Sequence, residues 1–180
     1  VDDPPDEQQL SVERTIRWST ACRREFDKLV EQKKLDAKNT PKIFAVVQGG
    51  SDRSLRKWCA EELLAVGFDG YGYGGWPLDE ENQLVADMVL LLRELIPMDF
   101  PLHALGIGHP PFIARCTSMG YDLFDSAMPT RDARHGRLYL FNEDKKGSQL
   151  ARSSDWFKYL YINDERHIRS NQPIESSCSC

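Results

Sequence analysis

Apolar and polar residues follow two different periods along the chain, and together these periods predict alternating strands and helices. Continuous apolar runs begin near residues 43, 68, 102 and 121, and such runs are typical of strands buried on both faces. Apolar residues spaced by three to four, as in an amphipathic helix, extend from Gln8 to Lys33 and follow each of the first three runs. This alternation predicts parallel strands joined by right-handed crossovers.

Each predicted strand is followed by a side chain with an amide or carboxylate group, or by glycines whose peptide groups a ligand can approach. Gln48 follows the first strand, Gly74-Gly75 the second, Leu105 to Gly108 the third and Asp125 the fourth. In barrels and open α/β sheets, the loops after the carboxyl ends of the strands form the active site. We therefore expect the Asp125 side chain to project into a cleft that it shares with Gln48 and the glycine peptides.

Chain length limits how much of a barrel these strands can form. A (β/α)₈ TIM barrel needs about 250 residues, whereas this chain has 180 and is 41% hydrophobic, which suits one core. We predict the C-terminal half of a (β/α)₈ barrel over residues 1–136, with Val1 to Asp3 as the tail of a preceding strand. After Gly136, the alternation in Arg137 to Phe141 predicts a hairpin arm. Aromatic residues and cations mix in residues 137–180, which fits a small α+β appendage as well as a nucleic-acid surface.

Composition excludes some classes of function. A net charge of −5 argues against a protein that coats polyanions generally, so any nucleic-acid contact has to be local. The sequence contains no run of about 18 apolar residues, and the acidic first residues do not resemble a signal peptide. Cys22, Cys59 and Cys116 lie within apolar patterns, which is more typical of reduced thiols than of disulfides. We expect a cytoplasmic protein that does not enter a membrane.

The stretch from Phe124 to Gly136 carries the strongest candidate chemistry. Its apolar run ends at the Asp125 carboxylate, and two arginines, Arg131 and Arg134, follow. The residue types alone fit a solvated turn equally well. Near the C-terminus, Cys178-Ser179-Cys180 supplies only two of the four ligands that a tetrahedral zinc site requires.

Three motifs taken together are specific. They are Phe44 to Gly50 (FAVVQGG), Gly67 to Gly75 (GFDGYGYGG) and Phe124 to Arg134 (FDSAMPTRDAR). With them the chain resembles the tRNA-guanine transglycosylases, which exchange guanine in tRNA for a 7-deazaguanine base. The resemblance covers nearly all 180 residues and is weakest from Asn142 to Ser177. It implies a (β/α)₈ barrel with a zinc-binding insertion, which would start within residues 137–180.

The resemblance also implies roles for individual residues. Asp125 matches the family's nucleophile, which attacks the anomeric carbon of the ribose and holds the RNA covalently; a carboxylate suits this role because it traps an oxocarbenium-like centre. Residues matching the family's base-binding positions are Asp2, Gln48, Gly74, Gly75, Leu105 and Gly106. Arg131 and Arg134 match basic residues near the RNA strand, and Cys178 and Cys180 match the first two ligands of a structural Zn²⁺. The implied partners are tRNA, the 7-deazaguanine base and a second subunit of the same fold, as a homodimer or a heterodimer.

Departures from the family pattern leave several points open. The family's general acid/base aspartate belongs to an N-terminal segment that these 180 residues do not contain, so we expect them to be inactive alone. Pro4 and Leu78 replace residues that help select the base. Gly108-His109-Pro110 resembles archaeal members, whereas Met128 to Arg131 resembles the queuosine enzymes. Two alternatives remain: a non-catalytic RNA-binding partner subunit of the same fold, and a relative that inserts a deazapurine into archaeal-type tRNA or into DNA.

Overall fold

The structure, a computed structural model, describes residues 3–142 and 156–174. Its helices and strands, in chain order, are α1 (Pro5–Gln32), β1 (Phe44–Val47), α2 (Arg53–Val66), β2 (Gly70–Tyr73), α3 (Ala86–Leu95), β3 (Leu102–Ala104), α4 (Pro110–Ser118), β4 (Leu123–Phe124), α5 (Met128–Arg134), β5 (Arg137–Phe141), β6 (Phe157–Tyr161) and α6 (Glu165–Ile168).

A four-stranded parallel sheet forms the centre of the chain. Its strands lie in sequence order, β1-β2-β3-β4, and each neighbouring pair is parallel. Phe44 pairs with Gly70, Gly72 with His103, and His103 with Leu123. The predicted alternation of parallel strands and helices is confirmed.

One face of this sheet packs against helices and forms the core. Side chains alternate across a strand, and Ala45, Val47, Leu102 and Ala104 point into this core, each no more than 3% exposed. Their partners on the helices are Cys59, Leu63, Val89, Leu92 and Cys116. The opposite face carries Val46 and His103, which are only partly buried.

Strand β2 has glycines at every position on that opposite face. A Cβ atom at Gly70 would collide with the ring of Phe44, and one at Gly72 would lie 2.5 Å from Leu105 Cδ1. Side chains of the two neighbouring strands therefore lie over the bare backbone of β2. These glycines are needed for close packing more than for chain turning.

Two aspartates fix the entry of the strands. Asp69 directly precedes β2 and accepts a hydrogen bond of 3.0 Å from the N–H of Ile43, the residue before β1. Asp122 directly precedes β4 and accepts one of 2.9 Å from the Leu102 N–H at the start of β3. Each carboxylate thus binds an amide where the neighbouring strand begins or just before it, which gives Asp69, within the GFDGY motif, a structural role.

Some predicted boundaries differ from the observed ones. The apolar spacing after the second run predicts a helix from about Glu81, but α3 begins only at Ala86, because Leu78 and Leu84 form an antiparallel bridge around a tight turn. Pro129 lies in the first turn of α5, where its missing N–H costs nothing. Asp3 is not in a strand, and the rest of the strand predicted at Val1 to Asp3 lies outside the described residues.

The three cysteines in the apolar patterns are free, in line with the prediction of reduced thiols, but they differ in burial. Cys22, Cys59 and Cys116 are all free, but only Cys59 and Cys116 are buried, whereas Cys22 is exposed on α1. Burial raises the pKa of the Cys116 thiol to about 11. This thiol is therefore protonated and unreactive at neutral pH.

The predicted hairpin arm after Gly136 is confirmed. Strands β5 and β6 pair antiparallel from Arg137 opposite Tyr161 to Phe141 opposite Phe157. The buried carboxylate of Asp132 on α5 accepts hydrogen bonds from the Tyr139 hydroxyl and from Arg137, which ties α5 to β5. The boundary between a half-barrel over residues 1–136 and an appendage over residues 137–180 stays a prediction. Among the residues that the structure describes, no helix is long and apolar enough to span a membrane.

Candidate active site at the carboxyl edge of the sheet

The strand register brings the predicted site residues to one face of the sheet. Because Gly72, His103 and Leu123 are in register, the residues two positions further along these strands lie on the same face. These residues are Gly74, Leu105 and Asp125. Gln48 joins them, because a Cβ at Gly74 would lie 2.7 Å from Gln48 Cδ. The four strand ends therefore present Gln48, Gly74, Leu105 and Asp125 along one edge.

Asp125 lies in an open cleft of about 800 Å³, which we call the aspartate cleft. Its lining includes Trp76, Leu78, Gly106, His109, Asp125 and Arg131. Asp125 Oδ1 is 2.9 Å from His103 Nε2 and accepts a hydrogen bond of 3.2 Å from the Gly106 N–H. The carboxylate is thus exposed to the cleft, and on its other side it contacts β3 and the loop that follows β3.

Gln48 lies in a second cleft, the glutamine cleft, of about 360 Å³. Its lining includes Asp3, Gln48, Gly49, Gly75, Trp76 and Leu78. Glutamine can both donate and accept hydrogen bonds, so this cleft suits a planar polar ligand.

The two clefts are neighbours, because Trp76 and Leu78 line both. We expected Asp125 and Gln48 to share one cleft; the two side chains line adjacent clefts that meet at Trp76 and Leu78. Strands β2 and β3 separate β1 from β4, and three strand spacings amount to roughly 14 Å. A ligand that contacts both side chains has to extend past Trp76 and Leu78.

The glycines of the edge differ in what they offer a ligand. Gly74 donates its N–H to Val47 O across 2.9 Å, and its carbonyl accepts from Arg56, so both peptide groups are already paired. Gly75 is exposed, with φ of +99° and nothing within 4 Å of a Cβ built there. Gly75 can therefore present its peptide to a ligand, whereas Gly74 mainly provides room.

Gly108, in the loop after β3, packs against the loop after β4. A Cβ at Gly108 would collide with the Ser126 side chain. Ser126 in turn accepts a hydrogen bond of 3.1 Å from the Met128 N–H at the start of α5. This contact fixes the loop that carries Asp125 against the loop that carries Gly106.

Arg56 lies under the glutamine cleft and was missed by the sequence analysis. It is fully buried on α2, and it donates to the carbonyls of Val47, Gly50 and Gly74 at the ends of β1 and β2. The signal was present in the sequence, because Arg56 shares a helical face with Cys59 and Leu63. His103 was also missed, although it is a polar residue inside a short apolar run.

The two arginines of α5 have different positions. Arg131 lines the aspartate cleft, whereas Arg134 is exposed and is not among the residues that line either cleft. His109 lines the aspartate cleft too and packs against Phe157 of β6, with ring centroids 5.6 Å apart. Burial lowers the pKa of His109, only partly opposed by Asp132, so this imidazole is neutral at pH 7.

Three predicted site residues, Asp2, Cys178 and Cys180, lie outside the described residues. Within residues 3–142 and 156–174, no group of three His, Cys, Asp or Glu side chains is placed to hold a metal ion. The zinc site stays a prediction.

The fold and its edge define a class: an α/β protein with a parallel sheet, a carboxylate at a strand end and an amide-lined cleft beside it. Comparison with known proteins narrows the class. The family model described as queuine tRNA-ribosyltransferase matches residues 2–180, and the chain belongs to this family. The family resemblance inferred from the three motifs is confirmed.

Individual relatives agree with the family match. The chain is 34% identical to the queuine tRNA-ribosyltransferase of Psychrobacter sp. over 97% of its own length and 41% of the relative. It is 32% identical to the Methylacidiphilum infernorum protein of the same name, over 94% of its own length and 41% of the relative. It is 33% identical to the Aliivibrio salmonicida protein of that name, over 97% of its own length and 40% of the relative. The chain thus spans about two-fifths of the length of these curated relatives.

Proposed function

We propose that the native protein containing this chain is a tRNA-guanine transglycosylase. It exchanges guanine at the anticodon wobble position of tRNA for a 7-deazaguanine base, as in queuosine modification, through a covalent aspartyl-ribose intermediate. The observation that carries the proposal is the position of Asp125, at the carboxyl edge of the sheet on the same face as Gln48. Family membership and the relatives' names support the transfer reaction.

Asp125 is the nucleophile of the proposed reaction. A carboxylate oxygen attacks C1′ of the ribose as the glycosidic C1′–N9 bond breaks, and guanine leaves with a proton from a general acid. In the second step, a nitrogen of the 7-deazaguanine base attacks C1′, the aspartyl ester bond breaks and the carboxylate is released. The incoming nitrogen passes its proton to a base. Each displacement inverts C1′ from the face opposite the departing group, so the two together keep its configuration.

Base recognition falls to the glutamine cleft and the glycine loops. The Gln48 amide and the exposed peptide of Gly75 face the polar edge of the base, and Leu105 with Gly106 forms the floor. Asp2 matches the family's base-binding carboxylate and completes this set. A base in the glutamine cleft and a ribose over Asp125 together span the two adjacent clefts, which requires a nucleotide turned out of its stack.

RNA binding falls to the arginines of α5. Arg131 lies beside Asp125 in the aspartate cleft, where a guanidinium can pair with the phosphate next to the reacting ribose. Arg134 follows on the exposed last turn and extends the same basic contact.

The larger architecture is also part of the proposal. Strands β1 to β4 are about half of a (β/α)₈ barrel, which their parallel sequential order and their helix-covered face support. Cys178 and Cys180 supply two thiolates of a structural Zn²⁺ site in an insertion that starts near residue 137. The protein pairs with a second subunit of the same fold. No step of the reaction passes through the zinc ion.

The test is a covalent-trapping experiment on the native polypeptide. Incubation with guanine-bearing tRNA, followed by denaturing electrophoresis, should show a protein–RNA adduct, and Asp125→Asn should abolish it. Asp99→Asn is the matched control, because Asp99 is exposed in the loop before β3, at the opposite edge of the sheet. tRNA binding without an adduct and without guanine release would contradict the proposal and favour a non-catalytic subunit. An adduct with DNA but not tRNA would favour the DNA relative.

A further inference from the structure

We propose that His103 is a positioning residue for the Asp125 carboxylate, an inference that rests on the proposed nucleophilic role of Asp125. His103 Nε2 lies 2.9 Å from Asp125 Oδ1, which is a hydrogen-bonding distance. The His103 side chain is 26% exposed and that of Asp125 is 60% exposed. The imidazole therefore approaches the carboxylate from the sheet and leaves the side toward the cleft open.

His103 is a rigid support because of its place in the sheet. It is the middle residue of β3 and is paired with Gly72 on one side and Leu123 on the other. Leu102 and Ala104, which flank it, are fully buried. The imidazole is thus fixed by a strand bonded on both sides, whereas Asp125 lies one residue beyond the end of β4. A side chain on such an exit loop gains its orientation from contacts of this kind.

The two donors select one oxygen of the carboxylate. His103 Nε2 and the Gly106 N–H both lie within hydrogen-bonding distance of Oδ1, and an Nε2–H that donates to Oδ1 fixes the tautomer of the ring. Among the described residues, Asp125 Oδ2 has no hydrogen-bond partner. Oδ2 is consequently the oxygen that attacks C1′, and rotation of the carboxylate is restrained by the bonds to Oδ1.

The same contact acts in both steps of the exchange. After the C1′–Oδ2 bond forms, Oδ1 is the carbonyl oxygen of the aspartyl ester. When that bond breaks again, negative charge returns to the carboxylate, and the His103 N–H stabilises it. Loss of the donor should therefore slow both the formation and the breakdown of the adduct, while tRNA binding is unchanged.

The experiment compares four variants of the native polypeptide: His103→Leu, His103→Gln, His103→Asn and His135→Leu. Leucine removes the donor at similar volume, glutamine keeps an N–H near the Nε2 position, and asparagine is polar but too short. His135, exposed at the end of α5, is the matched control. Adduct formation and adduct breakdown, after addition of a 7-deazaguanine base, are timed in single turnovers at saturating tRNA.

For His103→Leu we expect both rates to fall about 10- to 100-fold, the effect of losing a hydrogen bond to a charged group. The rates of His103→Gln should return to within about three-fold of the wild type, and tRNA binding should be unchanged in both variants. Should the leucine variant fail to fold, the Gln and Asn pair decides, because only glutamine reaches Asp125.

Two results would overturn the inference, and they are distinguishable. If the wild type forms an Asp125-dependent adduct but His103→Leu reacts at the same rate, or Asn equals Gln, the role of His103 is wrong and the proposed function stands. If the wild type forms no adduct with guanine-bearing tRNA, the proposed function itself fails, and this inference with it.

Discussion

The guanidinium of Arg56 donates hydrogen bonds to the carbonyl oxygen of Gly74 from both Nη1 and Nη2, each across 3.3 Å. It also lies 4.3 Å from the ring centre of Tyr73 and bonds to the carbonyl of Val47. One side chain of α2 therefore joins the ends of β1 and β2, which carry Gln48 and Gly75. Carbonyl dipoles, rather than a carboxylate, surround this buried cation.

Arg56→Met should destabilise the protein by about 3 kcal/mol, because it leaves several buried carbonyl oxygens unpaired. Urea unfolding measures this, and Arg53→Met is the matched control, one turn earlier on the same helix and exposed. A change in unfolding free energy no larger than that of the control would show that water replaces the guanidinium without cost.

Gly74→Ala and Gly75→Ala should separate packing from ligand contact. A Cβ at Gly74 would lie 2.7 Å from the backbone oxygen of Val47, which cannot move freely, so we expect a loss of about 1–3 kcal/mol in stability. Gly75→Ala has free space but a positive φ, so the stability loss should be about 1 kcal/mol. Only Gly75→Ala should weaken base binding beyond its effect on stability, as measured by calorimetry with the free base. The reverse pattern would contradict the assignment of Gly75 as the exposed peptide.

Asp69 should make stability depend on pH in the acidic range. Partial burial acts to raise the pKa of this carboxyl, but the hydrogen bonds from the Ile43 N–H and from Lys42 outweigh it, so the pKa lies below its ordinary value. A lowered folded-state pKa stabilises the protein above the unfolded pKa of about 3.9, and this contribution is lost as the pH falls through the folded pKa.

Asp69→Asn should therefore cost about 1–2 kcal/mol at pH 7, and the gap from the wild type should shrink below about pH 4. Thermal unfolding at a series of pH values measures it. A gap that stays constant down to about pH 2 would rule out the carboxylate as its source. Asp99→Asn, at an exposed position, controls for net charge.

Arg131→Gln should weaken tRNA binding about five- to ten-fold at moderate salt and lower the slope of log K against log salt by about 0.7–1. The loss should be smaller for Arg134→Gln, since Arg134 does not line the aspartate cleft. Arg115→Gln, exposed on the last turn of α4, is the charge-matched control. An equal effect of all three substitutions would point to diffuse attraction instead of a local phosphate contact.

Local periodicity was enough to predict the four-stranded parallel sheet and the helices that alternate with its strands. The runs starting near residues 43, 68, 102 and 121 became the four parallel strands, because continuous apolar segments need burial on both faces. The positions of Gln48, Gly75 and Asp125 at the ends of predicted strands also indicated that they lie at one edge of the sheet.

The details that escaped prediction depend on tertiary contacts. The helical face of Arg56 indicates that it is buried, but the carbonyl groups that it binds, at the ends of β1 and β2, belong to other segments of the chain. The separation of Asp125 from Gln48 follows from sheet order, which no single segment contains. The late start of α3 reflects a bridge between Leu78 and Leu84 that overrides helix propensity.

Trp76 and Leu78 line two recesses at once, and this double duty constrains redesign. A substitution at residue 78 meant to admit a different heterocycle would also reshape the compartment that is proposed to hold the sugar over the carboxylate. Selectivity and turnover are therefore expected to change together at these two positions. An engineer who wants to vary one independently should work at Gln48 or Gly75, which border a single compartment.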